Sequence, residues 1–260
     1  MTKLMWAGVV LVASVAGPAL AADLPARVYN PLPPAPFNWS GCYLGGQIGA
    51  QSGRWTSGVN YTNPVAPASG SRDFDSKGAF IGGAQVGCNY QPVASVFVIG
   101  VEGDVLGAKN TASGEVFRYA TTPTDHFDAG GKIGSQGSLR LRLGAAWDRL
   151  LAYVAGGATW ASIDTTHTFV REGVGSALFQ GSATRSGWNL GVGFDYAFVG
   201  GWTAGLEYRY TAYDSYDYIV PAGLRPIPLA AQTATASNVH TNDIRLRLNY
   251  LFGSPAVAEY

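Results

Sequence analysis

The chain has 260 residues, with 17 Lys and Arg against 17 Asp and Glu, so its formal charge is zero and no basic run offers a nucleic-acid footprint. Glycine (35) and tyrosine (14) are abundant while Lys, Glu, Gln and Met are scarce, a balance that favours strands over helices. Two cysteines are too few for a disulfide-built domain, and no histidine stands at zinc-ligand spacing from them, so neither a metal nor another cofactor is expected.

Met1-Thr2-Lys3 opens the chain with a positive charge, Leu4 to Val15 is almost wholly apolar, and Ala19-Leu20-Ala21 has the small-x-small form of a signal-peptidase site. This predicts a cleavable signal peptide over 1–21 and export from the cytoplasm. The proline-rich stretch 22–38 reads as an extended periplasmic leader. Beyond it, no apolar run approaches the roughly 20 residues that a spanning helix needs.

From Trp39 the rhythm changes to period-two segments, each close to the roughly 9–11 residues of an outer-membrane strand. Eight are predicted, over 40–52, 78–91, 96–107, 135–147, 151–162, 185–198, 202–213 and 241–252. The last is the clearest: Ile244, Leu246, Leu248 and Tyr250 alternate with Asp243, Arg245, Arg247 and Asn249. Long polar stretches (53–77, 108–134, 163–184, 214–240) alternate with tight turns (92–95, 148–150, 199–201). Short periplasmic turns and long external loops are the asymmetry of an outer-membrane barrel. The expected fold is therefore all-β, an eight-stranded antiparallel up-and-down transmembrane barrel over 39–253, followed by a short tail, 254–260.

Depth sorting of aromatics agrees with that topology. Tyr90, Phe97, Trp147, Phe198, Trp202, Tyr250 and Phe252 share the parity of the apolar face and flank the short turns, as a membrane girdle should. Trp160, Trp188 and Tyr210 share it near the other rim.

The opposite parity gathers charge. Glu102, Asp104, Asp195, Glu207 and Asp243 face inward with Arg140, Arg142, Arg209, Arg245 and Arg247. Such a set fits a narrow, charge-selective pore or a salt-bridged plug that closes the barrel. Eight strands leave little bore beyond what side chains fill, which favours the plug. Strand one, with Tyr43, Gly45, Gln47, Gly49 and Gln51 inward, gives room to the arginines opposite. Cys42 and Cys88 lie near the same rim on adjacent strands with outward parity, placed either for a cross-strand disulfide or as two small apolar thiols.

Catalysis finds little support. His126, His167 and His240 fall in the predicted loops or at a strand rim, and only His240 beside Ser237 resembles the pairing a lipid-A-modifying enzyme would use. Gly187 to Gly193 lies in a strand with no following helix, so it is no nucleotide fingerprint.

Six ordered motifs add a resemblance. They are Gly100-Val101-Glu102-Gly103-Asp104, Gly137 to Gly144 (GSLRLRLG), Leu151 to Gly157 (LAYVAGG), Gly187 to Gly193 (GWNLGVG), Leu206 to Thr211 (LEYRYT) and Asp243 to Tyr250 (DIRLRLNY). Together they resemble the Omp25/Omp31-like outer-membrane proteins of alphaproteobacteria, often called porin family. The resemblance implies an abundant surface barrel that supports envelope integrity and contacts a host or surface ligand through its loops. It also implies residence among outer-membrane lipid and lipopolysaccharide after insertion by the barrel-assembly machinery. A small-solute porin is the alternative it leaves open, and it supplies no catalytic residue. One departure concerns the terminal aromatic that the assembly machinery reads: Phe252 is followed by eight further residues, and Pro255 places the signal at Tyr250 and Phe252 rather than at Tyr260.

Overall fold

The computed structural model describes residues 37–61, 68–76, 78–118, 124, 126–171, 173, 175–220 and 232–253. The signal segment 1–21, the leader up to residue 36 and the tail 254–260 lie outside them.

Among the described residues ten antiparallel strands build one closed sheet: β1 (Gly41–Tyr61), β2 (Ala68–Asp75), β3 (Ala79–Tyr90), β4 (Phe97–Arg118), β5 (His126–Trp147), β6 (Leu150–Arg171), β7 (Gly175–Ala197), β8 (Trp202–Tyr213), β9 (Tyr216–Val220) and β10 (Gln232–Phe252). Neighbours run β2-β1-β3-β4-β5-β6-β7-β8-β10-β9, and β10 closes the ring on β1 from Cys42↔Phe252 to Tyr61↔Gln232. Two of the ten are outer stretches of interrupted staves. β1 pairs with β3 as far as Gln51 and with β2 from Arg54 onward, while β10 pairs with β8 as far as Val239 and with β9 from Ala236. Eight staves therefore form the wall.

The period-two chemistry explains why this wall is a membrane wall. On β5, Leu139, Leu141 and Leu143 are more than half exposed, whereas Arg140 and Arg142 between them are 1 % exposed. A soluble sheet would bury the leucines; here lipid solvates them, and the polar residues turn to the interior. The seven aromatics placed beside the short turns all point outward. The turns themselves are tight. Val199–Gly201 is a single 3₁₀ turn with Gly200 and Gly201 at φ 73° and 83°, left-handed values that a Cβ would oppose.

The long segments expected as loops are largely strand, which corrects that part of the sequence reading. β1 continues to Tyr61, β4 to Arg118, β5 starts at His126, β6 reaches Arg171, β7 starts at Gly175 and β10 at Gln232. These extensions are rich in Thr and β-branched residues, which suit strands as well as apolar residues do. They looked like loops because their pattern inverts. Beyond the barrel rim the outward face is polar (Thr111, Ser113, Lys132, Asp164), and the inward face is apolar (Ala112, Phe127, Ile133, Ile163).

Above the rim the wall parts into two four-stranded leaves, β9-β10-β1-β2 and β4-β5-β6-β7, with no ladder joining β2 to β4 or β7 to β9 among the described residues. The leaves meet face to face. Trp55 of β1 lies against Gly131 of β5, and Phe74 of β2 against Gly114 of β4, where a Cβ on either glycine would overlap the ring. Trp55, Ile81, Ala112, Ile133, Ile163 and Val239 form the apolar cluster between them.

Candidate functional site

The interior of the wall is stacked in layers, and the charged layer is the centre of the candidate site. All ten charged residues assigned inward from the sequence are at most 5 % exposed. Register sets some of the pairs: Glu102 stands directly opposite Arg140 on the neighbouring strand, and Asp243 opposite Arg209. Others cross the lumen. Arg140 of β5 donates from Nη1 to Glu207 Oε1 of β8 at 2.7 Å and from Nη2 to Glu102 of β4. Arg247 of β10 donates to the same two carboxylates, and Arg209 donates from Nε to Glu207 Oε1 at 2.8 Å.

Asp104 ties in the rest. It accepts from Arg209 Nη1 at 2.9 Å and from Ser138 Oγ at 2.7 Å. Arg245 donates to Asp243, and Arg142 donates to Asp195 of β7. Two tyrosines that sequence reasoning left out of the cluster complete it. Tyr153 donates to Glu207 Oε2 at 2.9 Å, accepts from Arg247 Nη1 at 2.6 Å and lies under the Arg142 guanidinium, 3.6 Å from ring centroid to Cζ. Tyr43 donates to Glu102. The signal for Tyr153 was its parity: it alternates with outward Val154 and Ala152 but sits among small residues in a segment that shows no charge.

Polar and apolar layers close the charged one on both sides. Toward the long hairpins, Gln51, Asn110, Gln136 and Tyr213 share hydrogen bonds of 2.8–3.3 Å, and the apolar cluster between the leaves lies beyond. Toward the short turns, Gln85 donates to Asn249, and below that pair Phe37, Trp39, Val98, Leu151 and Leu251 form a second apolar cluster. Trp39, 2 % exposed, donates from Nε1 to the Asp148 carbonyl at 3.0 Å and from its backbone N–H to Gln91 at 2.8 Å. The residues just before β1 thus fold across this end.

Other sequence candidates lie apart from this stack. Cys42 and Cys88 face each other in register on β1 and β3 and are joined as a disulfide. His126 opens β5 on the surface, 3.6 Å from Asp128. His167 was expected in a loop, but β6 carries it inward between the leaves, where it is 1 % exposed and packs on Phe127 at 5.4 Å between centroids. Burial pushes its imidazole down to about 4. His240 hydrogen-bonds Tyr210 Oη at 2.9 Å and stacks on that ring; the Ser237 side chain once paired with it lies outside the described residues. Among the described residues no group of three or more His, Cys, Asp or Glu could hold a metal ion.

A family model and two sequence relatives agree with this architecture. The family described as outer membrane protein beta-barrel domain matches residues 7–252. The chain is 30% identical over 254 residues to the 31 kDa outer-membrane immunogenic protein of Brucella melitensis, covering 94% of this chain and 99% of that protein. It is 27% identical over 240 residues to the 25 kDa outer-membrane immunogenic protein of Brucella abortus, covering 90% and 91% respectively. Among solved structures it is similar to the outer membrane protein OprG from Pseudomonas aeruginosa, at 11% identity and a TM-score of 0.46, covering 82% of this chain and 98% of that one.

Proposed function

This chain belongs to the outer membrane protein beta-barrel domain family, and on that premise we propose that it is a closed barrel that reinforces the envelope and presents two β-leaves to the exterior. The single observation that carries the closed state is the charged layer, in which five arginines and five carboxylates fill the lumen with at most 5 % exposure. An ion crossing it would have to displace arginine–carboxylate pairs held in a low-dielectric interior, where their attraction is strong. The short turns face the periplasm and the leaves face outward, since outer-membrane barrels carry their long connections outside. The leaves put Thr, Ser, Asp and Lys on their outer faces, a hydrated surface suited to contact with polar partners.

Planar-bilayer recording of refolded protein tests the closed state. Silence is the expected result. Stable, reproducible conductance steps would replace this reading with that of a small-solute porin.

A further inference from the structure

Where the barrel wall meets the leaves, a cleft of about 530 Å³ opens on the outer surface, floored by Ser52 and Gly53. From it we infer a binding site for the phosphorylated sugar headgroup of lipid A, walled by the Arg54–Asp75 pair on one side and by Tyr210 and His240 on the other. The inference rests on the orientation given above.

Register builds the site. Ser52, Asn242 and Tyr210 follow one another across β1, β10 and β8, and the next outward row places Arg54 between Asp75 of β2 and His240 of β10. The cleft exists because the stave beside β1 is interrupted here, with β2 ending at Asp75 and β3 beginning at Ala79. Ser76 pins the break, donating its backbone N–H to the Gly53 carbonyl at 2.7 Å while its Oγ accepts from Gly53 N at 2.8 Å.

The chemistry selects a headgroup. The Tyr210 ring is held between His240, stacked at 5.7 Å, and Trp188, also at 5.7 Å, an aromatic row whose polar rims suit the headgroup depth of a membrane. Arg54 spends only Nε on Asp75, at 3.0 Å, and its side chain is 62% exposed. Its terminal nitrogens are therefore presented for a phosphate. The Asp75 carboxylate beside them can accept from sugar hydroxyls. Below the cleft the wall turns apolar at once, with Ile48, Ile244 and Leu246 each more than half exposed. A ligand held here has a polar, phosphate-bearing head and apolar chains, which among outer-leaflet amphiphiles with a sugar head is lipid A.

The test uses the refolded full-length protein in detergent, incubated with lipid A, with dephosphorylated lipid A or with phosphatidylethanolamine, and bound lipid is counted by native mass spectrometry. Lipid A retention should fall about tenfold in Arg54→Gln, the loss of one charge-assisted hydrogen bond. It should also fall in Tyr210→Ala, and only the Arg54 effect should vanish with the dephosphorylated lipid. Arg54 is exposed, so its variant folds even if Tyr210→Ala does not. Equal retention by both variants, or equal binding of phosphatidylethanolamine, overturns the site. Labelling of Thr111→Cys on intact cells with an impermeant maleimide separates the two readings: labelled cells with unchanged lipid retention sink the site alone, and unlabelled cells sink the orientation together with it.

Discussion

Arg140 on β5 and Glu207 on β8 stand three strands apart around the wall, yet their side chains meet across the lumen at 2.7 Å. Glu207 also accepts from Arg209, Arg247 and Tyr153, so four donors converge on one carboxylate at 0 % exposure. A hub of this kind fixes the relative position of four strands, which a pair of neighbours already joined by a ladder cannot do.

Removing the hub's charge leaves arginines buried beside a neutral amide. Glu207→Gln should therefore destabilise the barrel by about 3–5 kcal/mol, the cost of breaking a buried ion pair from one side. Asp75→Asn, which breaks the exposed and solvent-screened pair with Arg54, should leave stability essentially unchanged. Urea unfolding of the refolded variants, followed by heat-modifiable gel mobility, measures both. Comparable losses in the two variants would deny the lumen pairs their structural weight.

Trp39 is the counterpart at the short-turn end. Its indole is buried against the second apolar cluster and anchored to the Asp148 carbonyl, and Trp39→Ala should cost about 3–5 kcal/mol through the cavity it leaves. The same variant should remain silent in planar bilayers, because the charged layer lies deeper in the lumen. Conductance from Trp39→Ala alone would mean that the end cap, not the ion layer, holds the barrel shut.

The wall was legible in the sequence because one rule governs its middle, apolar outward and polar or charged inward. Leu139 to Leu143 and Ile244 to Tyr250 carry that rule without interruption. The leaves were not legible, and the reason is physical. Their outward face meets water rather than lipid, so Lys132 and Asp164 take the positions that leucines hold lower down, while Ile133 and Ile163 turn inward. A β-bulge compounds the inversion: pairing jumps from Ile133 to Gln136 on β5, so inward residues change from odd to even numbers at the rim. A second irregularity, at Asn238 with φ 58°, shifts the register of β10 against β1 between Val239 and Ser237. The charged residues of the lumen could be assigned to the inward face from parity, but their partners could not, since Arg140 reaching Glu207 is a contact across the lumen that no strand pattern encodes.

Trp55 against Gly131 tests whether the leaves act as a unit. Gly131→Leu places a side chain where the indole lies, and overpacking of this kind costs about 1–3 kcal/mol. The strain should part the leaves and leave the wall intact. Limited proteolysis should then cut within 53–61 and 126–134, while a heat-modifiable core survives. An unchanged cleavage pattern would show that the leaves hold without this contact.

His167 makes the same region sensitive to acid. It is buried between the leaves, beyond the membrane wall, beside Trp55, Ala129 and Thr165. Its ordinary value of 6.5 is lowered to about 4 by burial, so the folded leaves hold a neutral imidazole and the opened leaves a charged one between those values. The open state then binds more protons, and stability rises with pH across that window. Closure of the leaves should accordingly be complete above about pH 6.5 and weaken progressively as the pH falls toward 4, by a total of about 2–3 kcal/mol. Amide exchange at 126–131 and 165–170 should quicken over that range in the native protein and stay flat in His167→Phe. Equal acceleration in the two proteins would place the acid response elsewhere.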